Sequence, residues 1–128
     1  MALRNLFKAS YEKTTNAVVQ FQLTTLPEGR FVPAGQIITD SDNMTFIYLM
    51  DNGENYSYVF FEQDVWPQLV EVIASEDPVL RWGEQQAVLH NFRDELEGLI
   101  YNIEGNSNYG EAFSQAVEQA FTSILSEA

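Results

Sequence analysis

The residues best suited to acid–base chemistry lie in the stretch HNFRDELE, residues 90–97. His90 is the only histidine and is considered as a general base, and Asp94 or Glu95 is close enough in sequence to orient its ring. No serine nucleophile motif accompanies them. On the helix predicted here the apolar side chains turn inward, which leaves the carboxylates in solvent. A structural histidine is therefore favoured over a general base, and no catalytic residue is predicted.

Two loops are rich in the oxygen ligands that calcium prefers, TDSDN at residues 39–43 and DNGE at residues 51–54. Neither has the twelve-residue spacing that ends in a bidentate glutamate, so turns are favoured over an EF-hand site. With one histidine and no cysteine, the chain has no multi-histidine or thiolate metal site. No glycine-rich loop has the lysine and the strand-to-helix context of a phosphate site. No metal and no cofactor is expected.

Aromatic residues are numerous, with nine Phe, six Tyr and two Trp. In residues 44–61 they are not interleaved with Lys or Arg, so stacking against nucleic-acid bases is not indicated. Core packing is the main interpretation, and a small aromatic-lined pocket or a protein-docking face that no helix covers is the alternative. The candidate interaction or pocket residues are Tyr48, Tyr56, Tyr58, Trp66, Asn106, Asn108 and Tyr109.

Charge is unevenly distributed along the chain. Residues 1–30 carry four basic and two acidic side chains, a net charge of +2, whereas residues 31–128 carry two basic and seventeen acidic ones, a net charge of −15. Such a surface repels phosphate backbones and anionic membranes, so neither nucleic acid nor a membrane is an expected partner. The acidity indicates solubility first, with a face that docks a basic partner or mimics nucleic acid as the alternative.

The length and the apolar runs bound the class of protein. A chain of 128 residues fits one domain, 1–128. It has neither an 18-residue apolar run nor the apolar core and cleavage site of a signal peptide. A cytoplasmic protein is expected.

The clearest structural signal is MTFIYLMDNGENYSYVFF, residues 44–61, which predicts a β-hairpin turning at Asn52 and Gly53. With a two-residue loop, the side chains divide into two largely apolar faces. The faces are Ile47, Leu49, Tyr56, Tyr58 and Phe60 on one side and Phe46, Tyr48, Met50, Val59 and Phe61 on the other. We expect this hairpin to lie centrally in the sheet with material on each side.

Other segments extend the sheet. Residues 16–23 and 29–39 predict strands, and Pro33 in the second predicts an edge or a bulge because it cannot donate a ladder hydrogen bond. Residues 78–89 predict a short hairpin. Residues 1–12 fit either a helix or a strand, and their apolar spacing slightly favours a helix.

Three helices are predicted in the C-terminal half. The first begins with Asp64 as its N-cap and Pro67 in its first turn, and the second begins with Asn91 as its cap. The third is a regular amphipathic helix over residues 112–125.

The loop NIEGNSNYGE, residues 102–111, is interpreted as a turn between the last two helices rather than a binding loop. Gly105 provides the positive φ that follows a helix, and Asn108 with Glu111 resembles a capping box. The connection predicted between these helices is three residues long.

These elements indicate an α+β fold, with an antiparallel sheet of five or six strands and three helices. Their order is similar to that of the secretion-chaperone-like fold, whose members are small, acidic and dimeric. The likeness is one of topology alone, and fold does not fix function.

Two long segments, residues 35–66 and 91–121, resemble the YjbL-like family of short, uncharacterised proteins from Bacillus-like bacteria. The blocks that carry the resemblance are SDNMTFIYL, the Tyr-Ser-Tyr of the hairpin, Trp66 and NIEGNSNYGE. It covers residues 33–121 and leaves 1–30 as a variable N-terminal segment. The resemblance implies a cytoplasmic protein of a Gram-positive bacterium, and the family offers no assigned catalytic or binding residues to transfer.

The function expected from the sequence is that of a small acidic cytoplasmic protein-interaction domain, adaptor or chaperone-like, without catalytic activity. The alternatives are an acidic antagonist, such as an immunity protein or a nucleic-acid mimic, and a small-molecule-binding protein with an aromatic pocket. The expected partner is another protein, and a homodimer is left open.

Overall fold

Strands form the first half of the molecule and most helices the second, in a computed structural model that describes residues 5–126. Within these residues the strands are β1 (Leu6–Thr15), β2 (Val18–Leu23), β3 (Val32–Asp40), β4 (Thr45–Asp51), β5 (Tyr56–Phe61), β6 (Val79–Trp82) and β7 (Gln85–Val88). The α-helices of the same residues are α1 (Trp66–Ala74), α2 (Phe92–Ile103), α3 (Glu111–Ala120) and α4 (Thr122–Leu125). The α+β class predicted from the sequence is confirmed.

The sheet is mixed and has seven strands in the order β3-β4-β5-β1-β2-β6-β7. The prediction of five or six antiparallel strands is therefore wrong, because β1 pairs with β5 and β2 pairs with β6 in parallel. Both parallel pairs join segments that are distant in sequence, and local patterns carry no signal for such a pairing.

The N-terminal segment is a strand. Phe7 and Ala9 are buried while Lys8 between them is exposed, which is the alternation of a strand with one face on a core. The backbone N–H and C=O groups of β1 bond to β2 on one side and to β5 on the other. The segment therefore does not need the internal hydrogen bonds of a helix. The helix favoured for residues 1–12 is thus wrong over residues 6–12, which lie in β1, and its first four residues lie outside the described residues.

The central hairpin has a four-residue loop, Asn52–Asn55, rather than the two-residue turn predicted. The Asn52 carboxamide oxygen accepts hydrogen bonds from the backbone N–H groups of Glu54 and Asn55, at 3.1 and 2.8 Å, which closes the loop. Lengthening the loop by two residues preserves the two-residue period of side-chain direction. Both predicted faces are accordingly found, with Phe46 opposite Phe61 and Ile47 opposite Phe60.

The predictions for the edges of the sheet are confirmed. β3 is an edge strand, and its register shifts between Pro33 and Ile37, as the proline predicted. β6 and β7 form the predicted short hairpin, which turns at Gly83 with a φ of 59°.

The helices pack on one face of the sheet, which we call the inner face. It carries Phe46, Tyr48 and Phe61, and the ring of Phe46 lies 5.3 Å from that of Trp66 and 5.8 Å from that of Phe113. Trp66 is 1% exposed, and its indole N–H donates to the carbonyl oxygen of Phe61 at 3.0 Å. Trp66 therefore anchors α1 to the end of β5.

Two helix predictions need correction. α1 has Pro67 in its first turn as predicted, but its N-cap is Val65, and the Asp64 carboxylate instead lies 3.2 Å from the Lys8 ammonium. The last helix breaks at Phe121 into α3 and α4, so the described chain has four α-helices and not three. The hydroxyl of Thr122 donates to the Glu118 carbonyl at 2.7 Å, a back-bond that bends helices.

Candidate functional site

The candidate residues predicted from the sequence fall in three separate places. Tyr48 and Trp66 lie in the core, where the ring of Tyr48 stacks on that of Phe92 with centroids 5.7 Å apart. Tyr56 and Tyr58 lie on the opposite side of the sheet. Asn106, Asn108 and Tyr109 lie in the loop between α2 and α3. The structure does not bring these residues together into one pocket.

The side of the sheet away from the helices carries a row of apolar side chains on β1, β3, β4 and β5. Cross-strand pairing sets Ile38 beside Ile47 and Tyr58 beside Leu49. Parallel pairing adds Leu6 beside Tyr58. We call this set the outer face, and its members are Leu6, Ile38, Ile47, Leu49, Tyr56, Tyr58 and Phe60.

Members of the outer face differ in exposure. Ile47 and Leu49 are only 7% and 6% exposed, yet neither belongs to the core that the helices share with the inner face. At the margins, Ile38 is 36% exposed and Tyr56 is 42% exposed. Among residues 5–126, no α-helix packs on this side. The accessible apolar surface therefore lies at the margins of the outer face, and exposed apolar patches can mark interaction sites.

Acidic residues predominate at the ends of the strands that carry the outer face. At or near the ends of β1, β3, β4 and β5 the described acids are Glu12, Asp40, Asp42, Asp51, Glu54, Glu62 and Asp64, and the described bases are Lys8, Lys13 and Arg30. Lys8 lies 2.8 Å from a Glu62 carboxylate oxygen, and Arg30 lies 3.6 Å from one of Asp51. The hydrogen bonds that the Lys8 ammonium donates to the carboxylates of Glu62 and Asp64 raise the pKa of Lys8. Because these ion pairs are exposed, they contribute little stability. The rim of the outer face is negative because it has more acids than bases.

The loop between α2 and α3 runs over seven residues, Glu104–Gly110, so the predicted three-residue connection is wrong. Gly105 has the predicted positive φ, 67°. Asn108 does not cap the next helix, whose N-cap is Gly110. Asn106 organises the loop instead, because its side chain accepts from the Asn108 N–H at 3.0 Å and donates to the Asn102 carbonyl at 3.2 Å. These internal hydrogen bonds agree with a structural turn.

His90 and Glu95, which the sequence offered as acid–base candidates, contact the backbone of β3 where its register shifts. The ring nitrogen Nε2 of His90 lies 3.1 Å from the carbonyl oxygen of Pro33, and a Glu95 carboxylate oxygen accepts from the Ile37 N–H at 3.0 Å. The Glu95 carboxylate is thus hydrogen-bonded to the backbone of β3. Pro33 and Gly35 signalled the bulge in the sequence, but nothing local signalled which side chains would hold it.

Tyr48 completes this arrangement from the inner face. Its hydroxyl donates to the His90 carbonyl at 2.8 Å and accepts from the Gly35 N–H at 3.0 Å. Burial raises the pKa of this phenol above its usual range. A Cβ placed on Gly35 would lie 2.7 Å from the His90 ring, so glycine is required there on steric grounds as well as by its φ of 78°. Tyr48, His90 and Glu95 thus connect β3 to the start of α2 through hydrogen bonds.

Comparison with known proteins places the chain in a family. The sequence profile of UPF0738, described as a family of unknown function, matches residues 7–121. The chain belongs to the UPF0738 family. The match begins within β1, so it extends further toward the N-terminus than the resemblance over residues 33–121.

Several UPF0738 proteins are similar to this chain over most of their length. One from Lysinibacillus sphaericus is 53% identical over 96 residues, which cover 74% of this chain and 76% of the relative. One from Staphylococcus haemolyticus is 39% identical over 100 residues, covering 74% and 79%. YjbL of Bacillus subtilis is 38% identical over 90 residues, covering 70% and 74%, which confirms the YjbL-like resemblance. No solved structure matches the chain.

Clefts of this UPF0738 chain include two that are lined by described residues. The larger, of about 630 Å³, lies at the strand ends and has a mainly polar lining that includes Asn5, Asn52, Asn55 and Ser57. The smaller, of about 500 Å³, lies between α2 and β3. Neither of these two clefts is lined by the hairpin tyrosines Tyr48, Tyr56 and Tyr58.

The described residues of this UPF0738 chain contain neither a cluster of metal ligands nor a helix that could span a membrane. Between residues 5 and 126, no three side chains of His, Asp or Glu converge in a way that could hold a metal ion. Asp40 in the calcium-like loop instead accepts a hydrogen bond from the Asn43 amide at 2.8 Å. None of the described helices has the length and apolar character needed to cross a membrane.

Proposed function

We propose that this UPF0738 chain is a small acidic cytoplasmic protein-interaction domain, adaptor or chaperone-like, that binds a basic partner protein without catalysing a reaction. The observation that carries this proposal is the outer face. It is an apolar side of the sheet whose residues Ile47 and Leu49 lie outside the core that the helices share, and it includes two tyrosines. Tyrosine is enriched at the centres of protein interfaces because it provides a large contact area with a polar end.

Charge supports the choice of a basic partner. The chain has a net charge of −13, and the rim of the outer face has more acids than bases. A basic protein would be attracted from a distance, whereas nucleic acid would be repelled. A second copy of the same chain would be repelled too, so the proposal commits to a different protein.

The order of the elements adds an argument by analogy. Strands, a helix, a hairpin and further helices follow one another, an order similar to that of the secretion-chaperone-like fold. This analogy supports a chaperone-like role through topology alone. An antagonist that mimics nucleic acid would instead use the acids of the helices, and a small-molecule-binding role would use one of the clefts.

Site-specific photo-crosslinking in cells of the source bacterium tests the proposal. A photoreactive phenylalanine analogue replaces Tyr56 on the outer face, and in a control chain it replaces Val88, which is 54% exposed on β7. The proposal predicts a covalent product with a basic protein from position 56 only. Its yield should fall when salt is added to a lysate before illumination, because steering between charges is screened.

A second variant connects the product to the outer face. Ile38→Glu places a charge on this surface at a position that is already partly exposed, so the fold should survive, as circular dichroism can verify. The proposal expects the product from position 56 to be lost in this variant. Equal products from positions 56 and 88, an acidic partner, or a product that consists of two copies of this chain would refute it.

A further inference from the structure

β3 lies at one edge of the sheet and is nine residues long, whereas β7 at the other edge has four. A strand at the edge of a sheet presents N–H and C=O groups that can pair with another chain, and long apolar edges are the most prone to do so. Val32 and Ile38 of β3 are 41% and 36% exposed, so apolar side chains accompany these groups. β3 is therefore the strand of this sheet through which another chain could pair.

Side chains from the start of α2 occupy backbone groups of β3 that β4 does not use. The Glu95 carboxylate accepts from the Ile37 N–H at 3.0 Å. Nε2 of His90 lies 3.1 Å from the Pro33 carbonyl oxygen, and it must donate because a carbonyl can only accept. Each contact fills a backbone group that a neighbouring strand would need.

Glu95 blocks the regular part of this edge. Residues 37–40 pair one to one with β4, whereas the register shifts between Pro33 and Ile37. Such a shift interrupts strand pairing, so residues 37–40 are the part of β3 best suited to accept a further strand. The Ile37 N–H at its start is the one bound to Glu95. An arriving strand would have to displace a part-buried carboxylate from its hydrogen bond, which is unfavourable.

We propose that Glu95 prevents the β3 edge from pairing with the β3 edge of a second copy of this chain. A second copy fits because two identical antiparallel edges related by a two-fold axis are self-complementary. The net charge of −13 also opposes this pairing. Salt screens that repulsion between molecules more than it screens a part-buried contact within one molecule, so Glu95 remains effective when charge repulsion does not.

Disulfide trapping at high salt tests the proposal. The natural chain has no cysteine, so Ile38→Cys supplies a single exposed thiol on the regular part of β3. In this background Glu95→Ala frees the Ile37 N–H, and it should raise the fraction of disulfide-linked dimer about tenfold, the factor expected for one lost hydrogen bond to a charged group. Circular dichroism verifies the fold of each variant.

Three controls separate the hydrogen bond from charge and from random collision. Glu95→Gln removes the charge but keeps an oxygen that can accept from the Ile37 N–H, so the dimer fraction should stay low. Asp94→Ala removes a charge from the exposed neighbouring residue and should also leave the dimer fraction low. Val88→Cys places the thiol on β7, where Glu95→Ala should have no effect.

Amide hydrogen exchange checks the wild-type protein and does not depend on the folding of a variant. The N–H groups of Ile37 and Thr39 point in the same direction, because direction repeats every two residues along a strand. With the Glu95 carboxylate bound to it, the Ile37 amide should exchange about tenfold more slowly than the Thr39 amide.

The outcomes are independent of the proposed partner protein. More dimer in Glu95→Ala alone, with a slowly exchanging Ile37 amide, would support the proposal even if crosslinking at position 56 fails. Equal dimer fractions with and without Glu95, an equal increase in Asp94→Ala, or exchange at Ile37 as fast as at Thr39 would overturn it.

Discussion

At the scale of single residues, Tyr48 shows how an aromatic residue can be mistaken for a binding residue. The sequence presents it in an aromatic strand, among the candidate interaction or pocket residues. In the structure that hydroxyl has both its hydrogen-bonding roles filled by backbone groups of His90 and Gly35. Those groups lie far from Tyr48 in sequence, so no local pattern could have assigned them.

The stability of the β3 bulge should depend on this hydroxyl. Tyr48→Phe keeps the ring but leaves a part-buried carbonyl and N–H without their partner, and it should lower the free energy of unfolding by about 1–3 kcal/mol. Tyr56→Phe is the control, because that side chain is exposed, and its effect should be within about 0.5 kcal/mol. Urea unfolding at neutral pH measures both. Equal effects in the two variants would show that the hydroxyl of Tyr48 does not hold the bulge.

The same hydroxyl predicts a dependence on alkaline pH. Burial raises the pKa of Tyr48 in the folded state, so above the usual pKa of about 10 the unfolded chain loses a proton that the folded chain keeps. The free energy of unfolding must therefore fall as the pH rises through this range. Tyr48→Phe should show a smaller fall than the wild-type protein between neutral pH and pH values above 10.

At the scale of elements, two glycines associated with α2 should respond oppositely to the same change. Gly105 after the helix has a φ of 67°, so Gly105→Ala should destabilise the protein by about 1–2 kcal/mol through backbone strain alone, since nothing lies within 4 Å of the added methyl group. Gly98 is helical, so Gly98→Ala should stabilise it by about 0.5–1 kcal/mol. Urea midpoints that move in the same direction would contradict this account of α2.

The elements also show what a sequence can predict. The faces of the hairpin, the bulge at Pro33 and the turn at Gly83 follow from the period of apolar residues and from residues with restricted backbones, and all were predicted correctly. The length of the hairpin loop depends on the Asn52 side chain competing for backbone N–H groups, which periodicity does not report. The strand β1 depends on pairing with β5, a contact between distant segments.

The candidate sites also have a part that local sequence patterns predicted and a part that depends on contacts between distant segments. Apolar alternation in the hairpin predicted that a second apolar face exists, and the sequence left open a docking face that no helix covers. It did not predict that the helices would all gather on the inner face, because helix packing is decided by tertiary contacts such as those of Phe46 with Trp66.

At the scale of the whole molecule, apolar surface and charge are arranged together. The helices cover the inner face of the sheet, and the outer face is apolar with a negative rim. A partner must therefore satisfy two conditions at once, an apolar centre and a basic surround. Negative charge alone would not determine where the proposed partner binds, because acidic residues occur throughout the described chain from Glu12 to Glu118.

Titration of the labelled protein with two synthetic peptides of equal charge tests this central claim most directly. One peptide alternates lysine with leucine and the other lysine with serine, and amide signals are followed by nuclear magnetic resonance at physiological salt. The account predicts saturable shifts in β3, β4 and β5, including Ile38 and Tyr58, with the leucine peptide alone, and their loss in Ile38→Glu. Identical shifts with both peptides, or shifts confined to the acidic surfaces of α1, α2 and α3, would contradict it.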